Sequence, residues 1–404
     1  MAQNRSSAYI FQGVMYFYRQ EKICCRYEIT LRDEVDPALL QAAQDEVLSR
    51  AEYFRQQLVW EKRDAYLEPN DQPCLVFQGS QLREIPEETN GYLFYFSCEG
   101  PVIYLNWHHF LSDGRGMASF AALVLEAYCN RRYGAGFVGM TLVTPPPYDE
   151  QALFDRFPSC HAKNDQSEQV PEIAEGAAHR TLVRVDKASL VQRALASGVK
   201  PFSCLTALLT LSMRQYLGRD EIFYSYSADT RDDIGAPGAP YNCVTSFQGR
   251  AAFGPDPRLE DFVGALDREV KSNLEPERKL ERMAQQMNWI YEVSKLKAPL
   301  KIKQRVFQMG EYMGGVPSDF WISYLGNPLR PTSPELMDYI EDFEVWVPPD
   351  GASICVEAAS VNGQIILCIQ DKTLRSGLAD VIRAVMEQEQ VRVIQAQDRT
   401  PAFT

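Results

Sequence analysis

Two adjacent histidines are the residues best suited to chemistry in a chain that contains four histidines. His108 and His109 follow a predicted strand, and Asp113 and Gly114 come after an interval of three residues. An unperturbed imidazole has a pKa of about 6.5, so a neutral ring can accept a proton near neutral pH. A well-placed general base typically contributes about 10²–10⁴ in rate. The segment therefore predicts general-base catalysis, against the alternative of a histidine that only packs at a strand end.

The spacing of these residues limits what each of them can do. Neighbours on a strand point to opposite faces, so one imidazole can face a cavity while the other packs inward. For the same reason the two rings chelate one metal ion poorly, and we expect no metal site. Gly114 permits a tight turn from which a helix can leave at once. Asp113 either orients an imidazole, as a triad carboxylate does, or pairs with an arginine elsewhere, and the spacing leaves both roles open.

The composition is that of a globular protein with an acidic balance. The chain has 404 residues, of which 45% are hydrophobic and 24% charged, and its formal net charge is -13. This length suggests two domains or lobes, and the charge argues against nucleic acid as a partner. The polar stretch 159–178 is either a linker or an ordinary surface loop. We take it as a linker and divide the chain into 1–165, which carries the histidine motif, and 166–404.

Apolar runs and cysteine usage bear on the location of the protein. No apolar run approaches the roughly 20 residues of a spanning helix, and no apolar segment follows the polar N-terminus. We therefore expect neither a membrane span nor a signal peptide. The ten cysteines include no Cys-x-x-Cys pair, and most lie in apolar contexts. Buried thiols in a reducing compartment fit this pattern, so we expect a cytoplasmic protein.

Periodicity and capping residues outline the elements that must position the motif. Asp36 is a predicted N-cap with Pro37 at the first helical position, and Asn362-Gly363 is a predicted hairpin turn. The elements predicted before the motif and just after it are strands at 24–31, 91–98 and 101–107 and helices at 36–50 and 115–132. Those predicted later are strands at 180–185, 221–228, 353–360 and 364–370 and helices at 187–197, 203–217 and 378–388. Each half mixes helices with strands, which predicts an α/β or α+β fold.

The sequence His-His-x-x-x-Asp-Gly at 108–114 resembles the signature of the acyl-CoA-dependent acyltransferase superfamily. That superfamily includes chloramphenicol acetyltransferase, BAHD acyltransferases, alcohol acetyltransferases, polyketide-associated acyltransferases and nonribosomal peptide condensation domains. Three other segments are similar to family elements at lower specificity: Ser-Ala-Asp-Thr-Arg at 227–231, Tyr-Asn at 241–242 and Ile-Ser-Tyr-Leu-Gly-Asn at 322–327. The resemblance spans about 20–390 of the chain.

The resemblance implies a fold and roles for the motif residues. The fold would have two similar lobes, each a mixed sheet flanked by helices as in chloramphenicol acetyltransferase, with an active-site tunnel between them. His109 would be the general base, with His108 beside it in the catalytic segment. Asp113 would shape the loop next to Gly114, and Arg231 of the second lobe would be its partner.

Two more residues are candidate substrate contacts on the same resemblance. Asn242 is either a substrate contact or a turn residue. Ser323 either donates a hydrogen bond to the developing oxyanion or is a solvent-facing strand hydroxyl.

The implied activity is acyl transfer from a thioester to an alcohol or amine. The donor would be acyl-CoA or the phosphopantetheine of an acyl carrier protein, the acceptor a small molecule, and no cofactor would be permanently bound. We expect a monomer, because two lobes complete the site. Two alternatives remain: a stand-alone condensation domain fed by carrier proteins, and a non-catalytic condensation-like binding module. Basic residues within 295–305 either meet a phosphate or an acidic carrier, or form a solvated face.

Overall fold

The structure, a computed structural model, describes residues 6–7, 24–63, 65–139, 144, 149–158, 178–314, 317–329, 334–373 and 375–399. Its strands are β1 (Ser6–Ser7), β2 (Cys24–Leu31), β3 (Gln56–Trp60), β4 (Ala65–Pro69), β5 (Phe77–Gln78), β6 (Phe94–Glu99), β7 (Val102–His108), β8 (His179–Asp186), β9 (Glu221–Asp229), β10 (Val244–Ala252), β11 (Ser318–Gly326), β12 (Ile340–Trp346), β13 (Ala352–Val361), β14 (Gln364–Asp371) and β15 (Val393–Arg399). Its α-helices are α1 (Pro37–Leu48), α2 (Gly114–Tyr133), α3 (Glu150–Arg156), α4 (Lys187–Ala196), α5 (Pro201–Leu217), α6 (Leu259–Asn273), α7 (Pro276–Ser294), α8 (Leu300–Gly314) and α9 (Leu378–Gln388).

Two mixed sheets form the frame of the molecule. The five-stranded sheet has the order β12-β2-β7-β6-β5, and the seven-stranded sheet has the order β10-β9-β11-β13-β14-β8-β15. Helices α1 and α2 contribute to the core around the first sheet, and α4, α5, α6 and α9 contribute to the core around the second. Two sheets flanked by helices confirm the predicted α/β class.

Local sequence signals account for many of the elements. Asp36 caps α1, where its Oδ1 accepts hydrogen bonds from two backbone N–H groups at 2.9 and 3.1 Å. Helix α9 spans the residues predicted for it, and its buried stripe is Leu378, Ala379, Ile382, Val385 and Met386. The strands predicted at 353–360 and 364–370 are the antiparallel hairpin β13–β14. Both strands are buried on both faces, which explains why most of their residues are apolar.

The chain crosses between the two sheets in a way that local patterns did not predict. Strand β12, from the second half of the chain, pairs antiparallel with β2 at the edge of the first sheet. Its Asp342 accepts a hydrogen bond from Arg184 of β8 at 2.7 Å, which ties the two sheets together. The boundary expected between 1–165 and 166–404 lies in 159–177, outside the described residues, and stays a prediction.

The lengths of the helices and the burial of the cysteines bear on the expectations about membranes and thiols. No single helix among them is long and apolar enough to cross a membrane, although α4 and α5, bent by 94°, pass the same length and composition test as a pair. The nine cysteines of the described ranges are free thiols, and all except Cys24 are buried.

The β13–β14 turn gives a test of local sequence control. Asn362 and Gly363 have φ values of 47° and 75°, which only glycine and a few polar residues adopt readily. A Cβ on Gly363 would meet nothing within 4 Å, so its backbone conformation alone resists substitution. We expect Gly363→Ala to lower the free energy of unfolding by about 1 kcal/mol, measured by urea denaturation.

Gly254 is the matched control for this substitution. It is equally open to a Cβ, but its φ lies outside the left-handed region. Gly254→Ala should therefore leave stability unchanged or raise it slightly. Equal losses in the two variants would show that the turn conformation does not control the hairpin.

Candidate active site

The predicted motif lies in a short loop between a central strand and a helix. Strand β7, which ends at His108, lies between β2 and β6 in the first sheet. Helix α2 begins at Gly114, with Asp113 as its N-cap. His109 therefore follows a strand in the middle of the sheet and not at its edge. Neighbouring strands on both sides make this part of the framework rigid.

Side chains from three other parts of the chain hold the backbone of this loop. The carbonyls of residues 109–112 each accept a side-chain hydrogen bond. Asn242 Nδ2 donates to the first two at 3.0 and 3.1 Å, the Tyr53 hydroxyl to the third at 2.6 Å, and Trp107 Nε1 to the fourth at 2.9 Å. Since the polar backbone groups are bonded rather than solvated, the loop has one well-defined conformation.

A buried ion pair joins this loop to the second half of the chain. Arg231 Nη2 donates to both carboxylate oxygens of Asp113, at 2.8 and 2.9 Å. The side chains are 5% and 3% exposed, respectively. The backbone N–H groups of Gly116 and Cys243 also donate hydrogen bonds to the Asp113 carboxylate, at 2.9 and 2.8 Å. The pairing expected between Arg231 and Asp113 is present, and of the two roles left open for Asp113 the structure shows the arginine partner.

The pKa values of both groups follow from this geometry. Burial alone would raise the pKa of Asp113, but the Arg231 charge and the backbone N–H donors outweigh it and hold that pKa below its usual range. Burial would likewise lower the pKa of Arg231, yet Asp113 raises it instead. Both groups are charged at neutral pH, so the pair is ionic.

The remaining nitrogens of Arg231 fasten the loop that carries it. Its Nε donates to the Ala239 carbonyl at 2.9 Å, its Nη2 also donates to the Tyr241 carbonyl at 2.9 Å, and its Nη1 donates to Asp229 at 3.0 Å. We call residues 230–243 the docking loop. Apolar side chains of the docking loop, Tyr241 among them, pack in the core around the first sheet.

His109 is partly buried within this framework. Its Nδ1 is buried, and its ring hydrogen-bonds to the backbone of its own residue. Burial lowers the pKa of His109 below its ordinary value, and the opposing effects of its own backbone, Asp113 and Asp350 do not reverse this. The imidazole is therefore neutral near pH 7, the state a proton acceptor requires.

His108 has a different environment from that of its neighbour. The Nδ1 of its ring accepts a hydrogen bond from the backbone N–H of Phe110 at 3.0 Å, and the backbone N–H of His108 donates to the carbonyl of Leu93 at 2.9 Å. The ring thus helps to turn the chain out of β7.

Glycines allow a close approach at the start of α2. A Cβ on Gly114 would lie 3.0 Å from Leu325 Cδ2 and 3.2 Å from the Tyr27 hydroxyl, which donates to the Gly114 carbonyl. A Cβ on Gly116 would collide with the carbonyl oxygen of Pro240 in the docking loop. Gly116 was not singled out from the sequence, although a second glycine in the first turn of a helix is a signal of close packing.

Ser323 and a carboxyl group that sequence analysis missed lie together on the second sheet. Ser323 of β11 is in register with Glu357 of β13 and hydrogen-bonds to its carboxyl group. Ser323 is therefore not simply a solvent-facing strand hydroxyl. The signal available in the sequence was the charge of Glu357 in a strand whose other residues are apolar or serine, because a buried strand position seldom carries a charge.

No family model and no curated protein matches the sequence. Solved structures do match over nearly the whole chain. Polyketide synthase associated protein 5 from Mycobacterium tuberculosis is 16% identical with a TM-score of 0.64, and the match covers 95% of this chain and 98% of that one. The first condensation domain of the CDA synthetase is 14% identical with a TM-score of 0.67, covering 97% and 99%.

F. graminearum TRI101, complexed with coenzyme A and T-2 mycotoxin, is 12% identical with a TM-score of 0.63, and the match covers 98% of this chain and 100% of that one. The chain has the condensation-domain fold. This confirms the fold implied by the superfamily resemblance, at identities too low to carry more than the fold.

Within the condensation-domain fold, one of the basic residues of 295–305 is buried and the other four are exposed. Lys303 is 2% exposed, and its Nζ donates to the Ser294 carbonyl at 2.8 Å. Lys295 lies 3.6 Å from the centre of the Tyr291 ring and pairs with Glu292 at 3.4 Å. Lys303 therefore has a structural partner in the interior, whereas Lys295 bonds its neighbours on the exposed surface. In the ranges that the structure describes, no cluster of His, Cys, Asp or Glu side chains could hold a metal ion.

The Asp113–Arg231 pair of this condensation-domain fold gives a stability test. Arg231→Met would leave the Asp113 carboxylate buried without its cation, which typically costs about 3–5 kcal/mol. We expect a loss of that size in the free energy of unfolding from urea denaturation.

The control is Arg278→Met, which removes an exposed arginine that pairs with Glu281 one helical turn away at 2.6 Å. Such surface pairs contribute about 0–1 kcal/mol. If both variants lost the same small amount, the ion pair between the halves would not be a main support of the loop.

Proposed function

We propose that the protein is an acyltransferase that moves an acyl group from a thioester to an alcohol or amine, with His109 as the general base. The observation that carries this proposal is the state of His109: a neutral, partly buried imidazole on a loop whose backbone is fixed by Asn242, Tyr53 and Trp107. The fold similarity to condensation domains and to a protein bound to coenzyme A supports the thioester as the donor.

The proposed reaction is a direct transfer in a ternary complex. The acceptor O–H or N–H gives its proton to His109 as the oxygen or nitrogen attacks the thioester carbonyl carbon. Because Nδ1 is buried, we assign Nε2 as the accepting nitrogen. The new C–O or C–N bond forms, the C–S bond breaks, and the departing thiolate takes the proton from the imidazolium. His109 ends neutral, and no covalent acyl-enzyme is required.

The other candidate residues have supporting roles in this proposal. Asp113 and Arg231 position the loop, and Asn242 does so through its bonds to the carbonyls of His109 and Phe110. The Ser323 hydroxyl, whose single O–H donates to Glu357, is our candidate donor to the oxyanion that forms at the thioester carbonyl, and it would turn from Glu357 to that oxygen as the charge develops. Gly114 keeps the first turn of α2 narrow where Leu325 approaches it.

The substrates are proposed at the level of chemical class. A small-molecule acceptor and a pantetheine thioester would enter a tunnel between the lobes from opposite ends and meet at His109. The protein would act as a cytoplasmic monomer without a permanently bound cofactor. The donor is acyl-CoA or a carrier-protein phosphopantetheine. The structural similarity to condensation domains is the reason to propose the carrier-protein donor beside acyl-CoA.

The direct test is His109→Ala. Loss of the base should lower the rate of acyl transfer by about 10²–10⁴, followed as free thiol released from acyl-CoA or from an acyl-loaded carrier protein. The melting temperature should change little, because the loop is held by its carbonyls rather than by the imidazole.

His179→Ala is the matched control, since His179 opens β8 in the other sheet, away from the motif. It should keep wild-type activity. Thiol release at the wild-type rate in His109→Ala would refute the assignment of the base. An unaltered protein that is inactive with both donors and with alcohols and amines would favour the non-catalytic binding module.

A further inference from the structure

A buried carboxyl group on the second sheet lies opposite the motif helix, outside the machinery assigned above. Glu357 is 7% exposed, in the middle of β13. Its neighbours Val356 and Ala358 belong to the core around the second sheet, while Ala359 belongs to the core around the first. Because side chains alternate along a strand, Glu357 points away from the second core and toward the first lobe.

The surroundings of Glu357 connect it to the motif. Its strand partner Ser323 is two residues before Leu325, whose side chain contacts the first turn of α2 at Gly114. From the first lobe, Tyr27 hydrogen-bonds to Gly114, and the charge of Glu357 adds to burial in raising the pKa of Tyr27. Glu357 is therefore placed across from the start of α2, on the lobe opposite His109.

The hydrogen bonds of Glu357 favour a carboxylate but supply no positive charge. In the described part of the chain its bonding partners are the Ser323 hydroxyl and the Cys355 thiol, whose sulfur lies 3.7 Å from Oε1. Burial raises the pKa of Glu357 to about 7 against the opposing effect of these two donors. The buried carboxylates Asp113, Asp319 and Glu344 each bond an arginine. Asp371 instead accepts from the Tyr216 hydroxyl and from the backbone N–H of Thr373.

A buried carboxylate with neutral partners is costly unless a cation joins it. We propose that Glu357 is a specificity-determining residue that binds a cationic nitrogen of the acceptor, at a position separate from the atom that takes the acyl group. This rests on the proposed function, since the acceptor is that of the same acyl transfer. The acceptor class is then an aliphatic amino alcohol or diamine rather than a neutral alcohol.

The experiment compares two probes of matched length, 6-amino-1-hexanol and 1,6-hexanediol, by ligand-observed NMR titration of the full chain. We expect the ammonium probe to bind the unaltered protein roughly tenfold or more tightly than the diol. Glu357→Gln should remove that preference while leaving diol binding within about twofold. Glu269→Gln is the control, because it makes the same change at a carboxyl group bonded to Tyr224 in the second lobe; it should keep the preference.

The two proposals can fail separately in this design. His109→Ala should lose acyl transfer but keep the ammonium preference, because the preference is measured by binding. Equal binding of the two probes to the unaltered protein overturns the role of Glu357, even if Glu357→Gln does not fold. Persistence of the preference in a folded Glu357→Gln also overturns it. Absence of acyl transfer with every donor overturns the proposed function and leaves the binding result to stand.

Discussion

The buried ion pair between Asp113 and Arg231 is the interaction on which the rest of the site depends. A carboxylate and a guanidinium taken out of water are favourable together only when nearly all of their bonding capacity is met. Here Asp113 accepts from Arg231 and from two backbone N–H groups, and Arg231 bonds the Asp113 and Asp229 side chains and two carbonyls. The pair therefore fixes two loops at once, one from each half of the chain.

The docking loop brings this pair to the motif and closes the space around it. Asn242, from the same loop, bonds the carbonyls of His109 and Phe110, and Pro240 accepts from the Ser112 hydroxyl at 2.6 Å. Gly116 allows the docking loop to approach α2 so closely that no side chain fits between them. His109 thus owes its position to contacts that begin at Arg231, and its neutrality to the burial that those contacts produce.

The parts of this arrangement that rest on local chemistry or on the motif could be predicted from the sequence. The cap at Asp36, the turn at Asn362-Gly363 and the span of α9 follow from residues adjacent in the chain. Arg231 could be matched to Asp113 because the segment 227–231 resembles a second element of the superfamily whose signature contains the aspartate. Strand β12 and Glu357 could not be found this way, since edge pairing with β2 and register with Ser323 are contacts between distant residues.

A general base at His109 requires a neutral imidazole, and histidine-selective ¹⁵N NMR measures its protonation state directly. The resonance to follow is the one that disappears in His109→Ala. We expect it to report a neutral ring at pH 7 and to titrate with a pKa below the ordinary value of about 6.5, because burial disfavours the charged form. A ring that remains protonated at pH 7, with a pKa above that value, would contradict the assignment of His109 as the base.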